Sequence, residues 1–248
     1  MGQQENVTGI VLSAGNVGEF DKRVVILTKE KGKITAFARG ARKMNSPYLA
    51  ACQPFVYGKF LLFEGKHYSI NGAEVEDYFD DIRKDLDNLY RAFYFCEMAD
   101  YLTAEGNDEL AIMQLLYVSL QALRKGSIPP ELVQVIYELK ILALFGWMLE
   151  TSQCVVCHRT MEQSYSFRGF STESGGLVCK ECIHKLRSMI PVLESTVYTL
   201  QFIMSQPVSR LYHFTVSKEV LENLQEISRL YLKKQVNHSF KSLEFLNC

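Results

Sequence analysis

The stretch RVVILTKEKGKITAFARGARK, residues 23–43, decides how the first third of the chain folds. Two runs rich in β-branched and aromatic residues, RVVILT (23–28) and KITAFAR (33–39), flank a polar break that ends on Gly32. This is a hairpin pattern, because a tight reversal needs a residue that tolerates positive φ. The second run alternates. Ile34, Ala36 and Ala38 fall on one face, and Lys33, Thr35, Phe37 and Arg39 on the other. A side-chain period of two makes the first face an inner one and the second an outer one.

Similar runs lie on either side. NVTGIVLSA (6–14) precedes the hairpin; FVYGKFLLF (55–63) and HYSINGAEV (67–75) follow, joined by a second turn at EGK (64–66). Five short antiparallel strands predict a small closed barrel, with the oligonucleotide/oligosaccharide-binding (OB) fold as the leading form. FVYGKF is expected to bring Phe55, Tyr57 and Lys59 to a shared face.

Beyond the barrel the signal becomes helical. Ile82, Leu86, Leu89, Phe93 and Leu102 fall close to one helical face, and EGND (105–108) ends that helix. LAIMQLLYVSLQALRKG forms the next, with Gly126 as its stop. SIPPELVQVIYELKILALFGWML follows, its prolines at the entry where a missing amide costs least. Its buried stripe is predicted as Leu132, Val135, Ile136, Leu139, Ala143 and Trp147. VLESTVYTLQFIMSQ and SKEVLENLQEISRLYLKKQV are two more amphipathic helices, the second capped by Ser217.

Between these helices lies CVVCHRTMEQSYSFRGFSTESGGLVCKEC (154–182), two Cys-x-x-Cys pairs separated by 21 residues. Zinc takes four tetrahedral ligands and favours thiolate in structural sites. Cys154, Cys157, Cys179 and Cys182 fit a four-cysteine site, with Gly175–Gly176 permitting the return of the chain. One structural Zn2+ per chain is expected. Three rival readings are a redox pair, two disulfides and an iron–sulfur cluster. His158 and His184 are expected as outer or exposed residues. Cys52, Cys96 and Cys248 stand apart and read as inert thiols.

The predicted architecture is therefore α+β and multidomain. An N-terminal OB-fold β-barrel spans residues 1–78, and a C-terminal α-helical bundle spans 79–248 with an inserted four-cysteine zinc-finger-like motif at 154–182. The opening MGQQENVTG has no apolar core, and runs such as ILALFGWML (141–149) are too short to cross a bilayer. A cytoplasmic protein with no membrane partner is expected.

The net charge of −1 hides an uneven distribution. Residues 1–72 carry ten Lys or Arg against five acids, whereas 73–110 carry twelve acids against three bases. The outer face of KITAFAR mixes cations with an aromatic ring, and ARGARKMNS adds Arg42 and Lys43. Cations track phosphates and rings stack on bases in single-strand platforms. The competing reading is solvated lysine on a small barrel. Candidate nucleic-acid contacts on this pattern are Lys33, Phe37, Arg39, Arg42 and Lys43. Walker and Gly-x-Ser-x-Gly signatures are absent, and Asp80–Asp81 sits at a helix start where it favours the positive end. The chain is expected not to be an enzyme and to have no small-molecule substrate. An interaction adaptor in transcription or translation, whose barrel binds protein, is the alternative; a metal-dependent nuclease is the third reading.

The order of these parts resembles the bacterial recombination mediator RecO family. The stretches that carry it are TGIVLSAGNVGEFDKRVVILTKEKGKI, ARGARKMNS followed by QPF (53–55), YELKILALFGW (137–147) and CVVC…GGLVCKEC. The resemblance implies a bacterial, nucleoid-associated DNA repair and recombination mediator. It implies binding of single- and double-stranded DNA, strand annealing, and work with RecR to load RecA onto strands coated by single-stranded-DNA-binding protein (SSB). It further implies capture of the SSB C-terminal tail by the helical domain. Arg39, Arg42 and Lys43 would be DNA contacts, with Lys22, Arg23 and Lys33 as neighbours. ARKMNS is thinner in arginine than the family's basic run, and Lys140 is the one cation in YELKILALFGW.

Overall fold

The computed structural model describes residues 3–160 and 166–246. Its first five strands are β1 (Gln4–Val17), β2 (Asp21–Thr28), β3 (Gly32–Ala38), β4 (Tyr57–Glu64) and β5 (Tyr68–Asp77). They close into a barrel in the order β1-β2-β3-β5-β4. Every pairing is antiparallel except β3 with β5, where Ala36 meets Tyr68 and Phe37 meets Ser69. Strand β1 pairs with β4 over Gln4–Ile10 and with β2 over Gly9–Val17, and a bulge at Val11–Ser13 bends it.

Inward residues fill the barrel: Val11, Val24, Ile26, Ile34, Ala36, Phe60, Leu62 and Ile70. The predicted alternation of β3 is the observed one, with Ile34, Ala36 and Ala38 buried and Lys33, Thr35 and Phe37 half-buried on the outer side. A four-residue helix, α1 (Tyr48–Ala51), sits between β3 and β4. Ala41, Cys52, Val56 and Tyr48 extend the barrel core beside it. Gly32, at φ +63°, lies so close to the Asn107 carbonyl that no side chain fits there.

Helices α2 (Leu86–Leu102) and α3 (Leu110–Lys125) follow, then α4 (Pro130–Phe145). Asp85 caps α2 by accepting from the Asn88 amide at 2.8 Å. Gly126 and Gly146, both at positive φ, end α3 and α4. The buried face of α2 differs from the predicted stripe. Ala92, Phe95, Cys96 and Ala99 are buried, while Leu86 is 67% exposed. Helix α4 is apolar nearly all round, and Trp147 lies beyond its end rather than in its stripe.

A three-stranded sheet, β6 (Phe167–Ser171), β7 (Gly176–Cys179) and β8 (Ile190–Pro191), precedes α5 (Glu194–Ser205) and α6 (Lys218–Gln235). Ser217 caps α6 as expected, accepting from the Val220 amide. The last helix, α7 (Lys241–Leu246), packs on α2, where Phe240 meets Tyr94 edge-on and Phe245 stacks on Tyr90. Two compact units result: residues 1–125 with 240–248, and residues 126–239. Among the described residues no helix is long and apolar enough to cross a membrane.

Candidate nucleic-acid interface and metal centre

The chain leaves β3 through Arg39 and a tight loop that is stitched to the β1–β2 turn. Gly40 takes positive φ and donates its amide to Asp21 Oδ1 at 2.7 Å. The Arg42 amide donates to the Phe20 carbonyl at 2.9 Å, and its guanidinium donates to the Gly18 and Glu19 carbonyls. Lys43 closes a turn onto Gly40 and lies over the Phe20 ring at 5.5 Å. Arg39, Arg42 and Lys43 are thus exposed and close in the chain, with Arg42 and Lys43 held by backbone contacts. Phe20 and Met44 stand exposed among them. A fixed cluster of cations loses little entropy on meeting a polyanion.

The other predicted contacts divide. Arg23 is exposed on the outer face and donates to Thr35 Oγ1 at 3.3 Å. Phe37 is half-buried on the same face, opposite Arg23 in the β2–β3 ladder. Lys22 is buried, because it falls on the inner side of β2 in register with Val24 and Ile26; it is not available as a surface contact. Lys33 points outward, yet its ammonium is taken by Asp100, at 2.5 Å from the carbonyl and 3.0 Å from the carboxylate. It braces the end of α2 rather than offering a free charge. Phe55, Tyr57 and Lys59 share no open face. Phe55 is fully buried at φ +76° against Phe93, Tyr57 packs on Tyr117, and Lys59 faces Glu76. Lys66 and His67, which no strand pattern marks as contacts, stand exposed at the β4–β5 turn, with the His67 ring against Phe37. Their only sequence signal was the hairpin itself.

The second site is built on two short turns. One runs from Cys154 to His158, where the His158 amide donates to the Cys154 carbonyl at 2.8 Å and His158 adopts φ +59°. The other follows β7, where the Cys182 amide donates to the Cys179 carbonyl at 2.9 Å. Backbone bonds between Glu150 and Gly175, and between Val155 and Leu177, lay the first turn beside β7. Gly176 makes this possible: a Cβ there would lie 2.5 Å from the Glu150 carbonyl. Arg159 and Glu181 pair at 2.6 Å between the two turns.

The four sulfurs of Cys154, Cys157, Cys179 and Cys182 lie within 4.8 Å of one another. Cys157 Sγ and Cys179 Sγ are 3.8 Å apart. Zinc–sulfur bonds of about 2.3 Å at tetrahedral angles place sulfurs about 3.8 Å apart, so the donor set fits such an ion. A disulfide needs about 2.05 Å. The Cys179 amide also donates to Cys154 Sγ at 3.4 Å, a bond that favours thiolate. Burial, with hydrogen bonds that the Cys182 thiol donates to Cys179 and Cys157, pushes that thiol up to about 12. Without a cation, crowded sulfurs resist ionisation; a divalent ion reverses that balance. His158 and His184 are exposed and outside the cluster. Cys52 and Cys96 are buried singly, which raises both thiols, Cys52 to about 11. Cys248 lies outside the described residues.

The family model for the N terminus of recombination protein O matches residues 1–79, and that for its C terminus matches residues 83–244. The chain belongs to the RecO family. Curated RecO relatives extend over nearly the whole length. A DNA repair protein RecO of Acetivibrio thermocellus is 31% identical, covering 96% of this chain and 94% of that protein. The Alkaliphilus metalliredigens protein of the same name is 32% identical over 95% and 96%. The Bacillus subtilis one is 32% identical over 96% and 92%.

In this RecO-family chain, Lys140 of α4 is committed to structure. Its buried ammonium donates to the carbonyls of Ile203, Met204 and Gln206 at 3.0, 3.0 and 2.8 Å. These are carbonyls at the end of α5 that the helix leaves unsatisfied. Burial holds the Lys140 amine below the usual lysine range. All three donors are used, so none is left for a ligand carboxylate. Lys140→Met is expected to lower unfolding free energy by about 3 kcal/mol, since it strands buried acceptors. A shift in the urea midpoint with unchanged slope would show it.

Proposed function

We propose that this chain is a non-enzymatic DNA repair and recombination mediator. The barrel, residues 1–78, is the nucleic-acid-binding domain, and it takes single- and double-stranded DNA through Arg39, Arg42 and Lys43. Arg23 and Phe37 extend that surface. The helical domain follows over residues 79–248, with its helices up to Lys125 sharing one compact unit with the barrel. The protein anneals complementary strands and, with RecR, helps load RecA onto SSB-coated single strands. The SSB C-terminal tail docks on the helical domain. Such a protein works in the bacterial cytoplasm at the nucleoid.

The observation that carries this reading is the braced, exposed basic loop at the end of a closed OB-like barrel. Phosphate contacts from such a loop are independent of sequence and sensitive to salt. Annealing then follows without nucleotide hydrolysis. Charge neutralisation lets two strands approach, and base pairing supplies the free energy. Zn2+ held by Cys154, Cys157, Cys179 and Cys182 has no open coordination position, so its contribution is folding energy.

Strand annealing in the presence of SSB, with and without RecR, tests the proposal. Annealing faster than the protein-free rate is expected, with RecR altering the yield on SSB-coated strands. Annealing at the protein-free rate, together with retained protein partners, would favour an adaptor instead.

A further inference from the structure

A groove of about 730 Å³ runs along the outside of the barrel, lined by Phe37, Arg39, Tyr48, Phe63, Lys66 and His67. Phe37 comes from β3 and His67 from the β4–β5 turn, brought together where β3 and β5 pair to close the barrel. Their rings meet at 5.7 Å between centroids and 63° between planes. This leaves two aromatic faces set as a corner. A planar base can lie on one ring and present its edge to the other without displacing either.

The charge of the groove is graded. Arg39 and Lys66 are exposed at its sides, and neither is tied to a carboxylate among the described residues. The one acid in the lining, Asp21, is turned to the Gly40 amide. On the far side of Phe37 and His67 the adjoining depression is mixed in charge: Glu30, Glu64 and Glu105 line it beside Lys31 and Lys33, whose ammoniums are paired with Glu5 and Asp100. A polyanion entering from the Arg42–Lys43 loop therefore meets Arg39 and Lys66 as far as the aromatic corner, and carboxylates with paired lysines beyond it.

We infer that this corner is a slot for one unstacked nucleotide of a single strand, its base on Phe37 and His67 and its flanking phosphates on Arg39 and Lys66. The inference rests on the proposal that the basic loop binds DNA, and it makes Lys66 and His67 new contacts. Duplex DNA gains nothing from the slot, because its base faces are already stacked. The slot thus favours single strands over duplex, whereas the loop serves both.

Fluorescence anisotropy with a labelled thymidine oligonucleotide and a blunt duplex of equal length tests this. His67→Ala is expected to weaken single-strand binding about tenfold and leave duplex binding within about twofold. His67→Phe, which keeps a ring but no imidazole, is expected to bind single strands as the parent does. Unchanged single-strand binding by His67→Ala would overturn the slot, as would equal losses on both DNAs. The chain with Arg39→Glu, Arg42→Glu and Lys43→Glu separates the two ideas. If it loses binding while His67→Ala does not, only the slot fails. If it binds as the parent, the loop proposal itself fails.

Discussion

A chain carrying Cys154→Ser and Cys179→Ser is expected to contain no zinc and to lose the fold of residues around 150–190. The parent is expected to hold about one zinc per chain by elemental analysis. The sheet that carries these turns is small, with strands of five, four and two residues. Its core rests on Phe167, Phe170, Leu177 and Val178. Structural zinc contributes roughly 10–16 kcal/mol in small metal-folded domains, comparable with the whole stability of an ordinary domain, about 5–15 kcal/mol. The expected outcome is therefore local unfolding, not a modest shift in melting temperature. The barrel draws its core from Val7 to Ile70 and needs no help from the ion. Limited proteolysis should cut the variant within 150–190 while a barrel fragment persists. A metal-free variant that resists cleavage there would show that packing alone holds the turns.

The second large effect is expected from Arg39→Glu, Arg42→Glu and Lys43→Glu together. Each neutralised phosphate on a single strand contributes a salt exponent of about 0.7, so three lost contacts weaken binding roughly a hundredfold at 0.1 M salt. Reversal of charge adds repulsion to that loss. The substitutions lie on exposed side chains, so the barrel should remain folded. Arg42 is the exception that needs a control, because its guanidinium also braces the Gly18 and Glu19 carbonyls. Arg42→Gln keeps donors for those carbonyls without the charge. It is expected to lose binding in the same direction with little change in unfolding.

The barrel was legible because its residues obey period two. Ile34, Ala36 and Ala38 could fill only one side of β3, and they do. The four-cysteine cluster was legible from spacing, because two short turns and a glycine pair leave few other ways to use the thiols. What failed was whatever depended on a distant neighbour. Lys33 sits on the outer face as expected, but the group that meets it, Asp100, lies 67 residues away. Tyr57 likewise faces outward only to be covered by Tyr117 of α3. Helix α2 misled for a related reason. It packs against α3, α7 and β1 at once, so its buried surface is wider than one stripe and turned away from Leu86. Lys22, which the resemblance offers as a neighbour of the DNA contacts, falls on the same side of β2 as Val24 and is turned inward.

The most direct check on the central claim is the affinity for a labelled single-stranded oligonucleotide, followed across a salt series for the parent and the triple-glutamate chain side by side. A straight line of log affinity against log salt is expected for the parent, with the slope shallower by about two in the variant. Identical slopes for the two chains would mean that Arg39, Arg42 and Lys43 do not hold phosphate, and that the polynucleotide lies elsewhere.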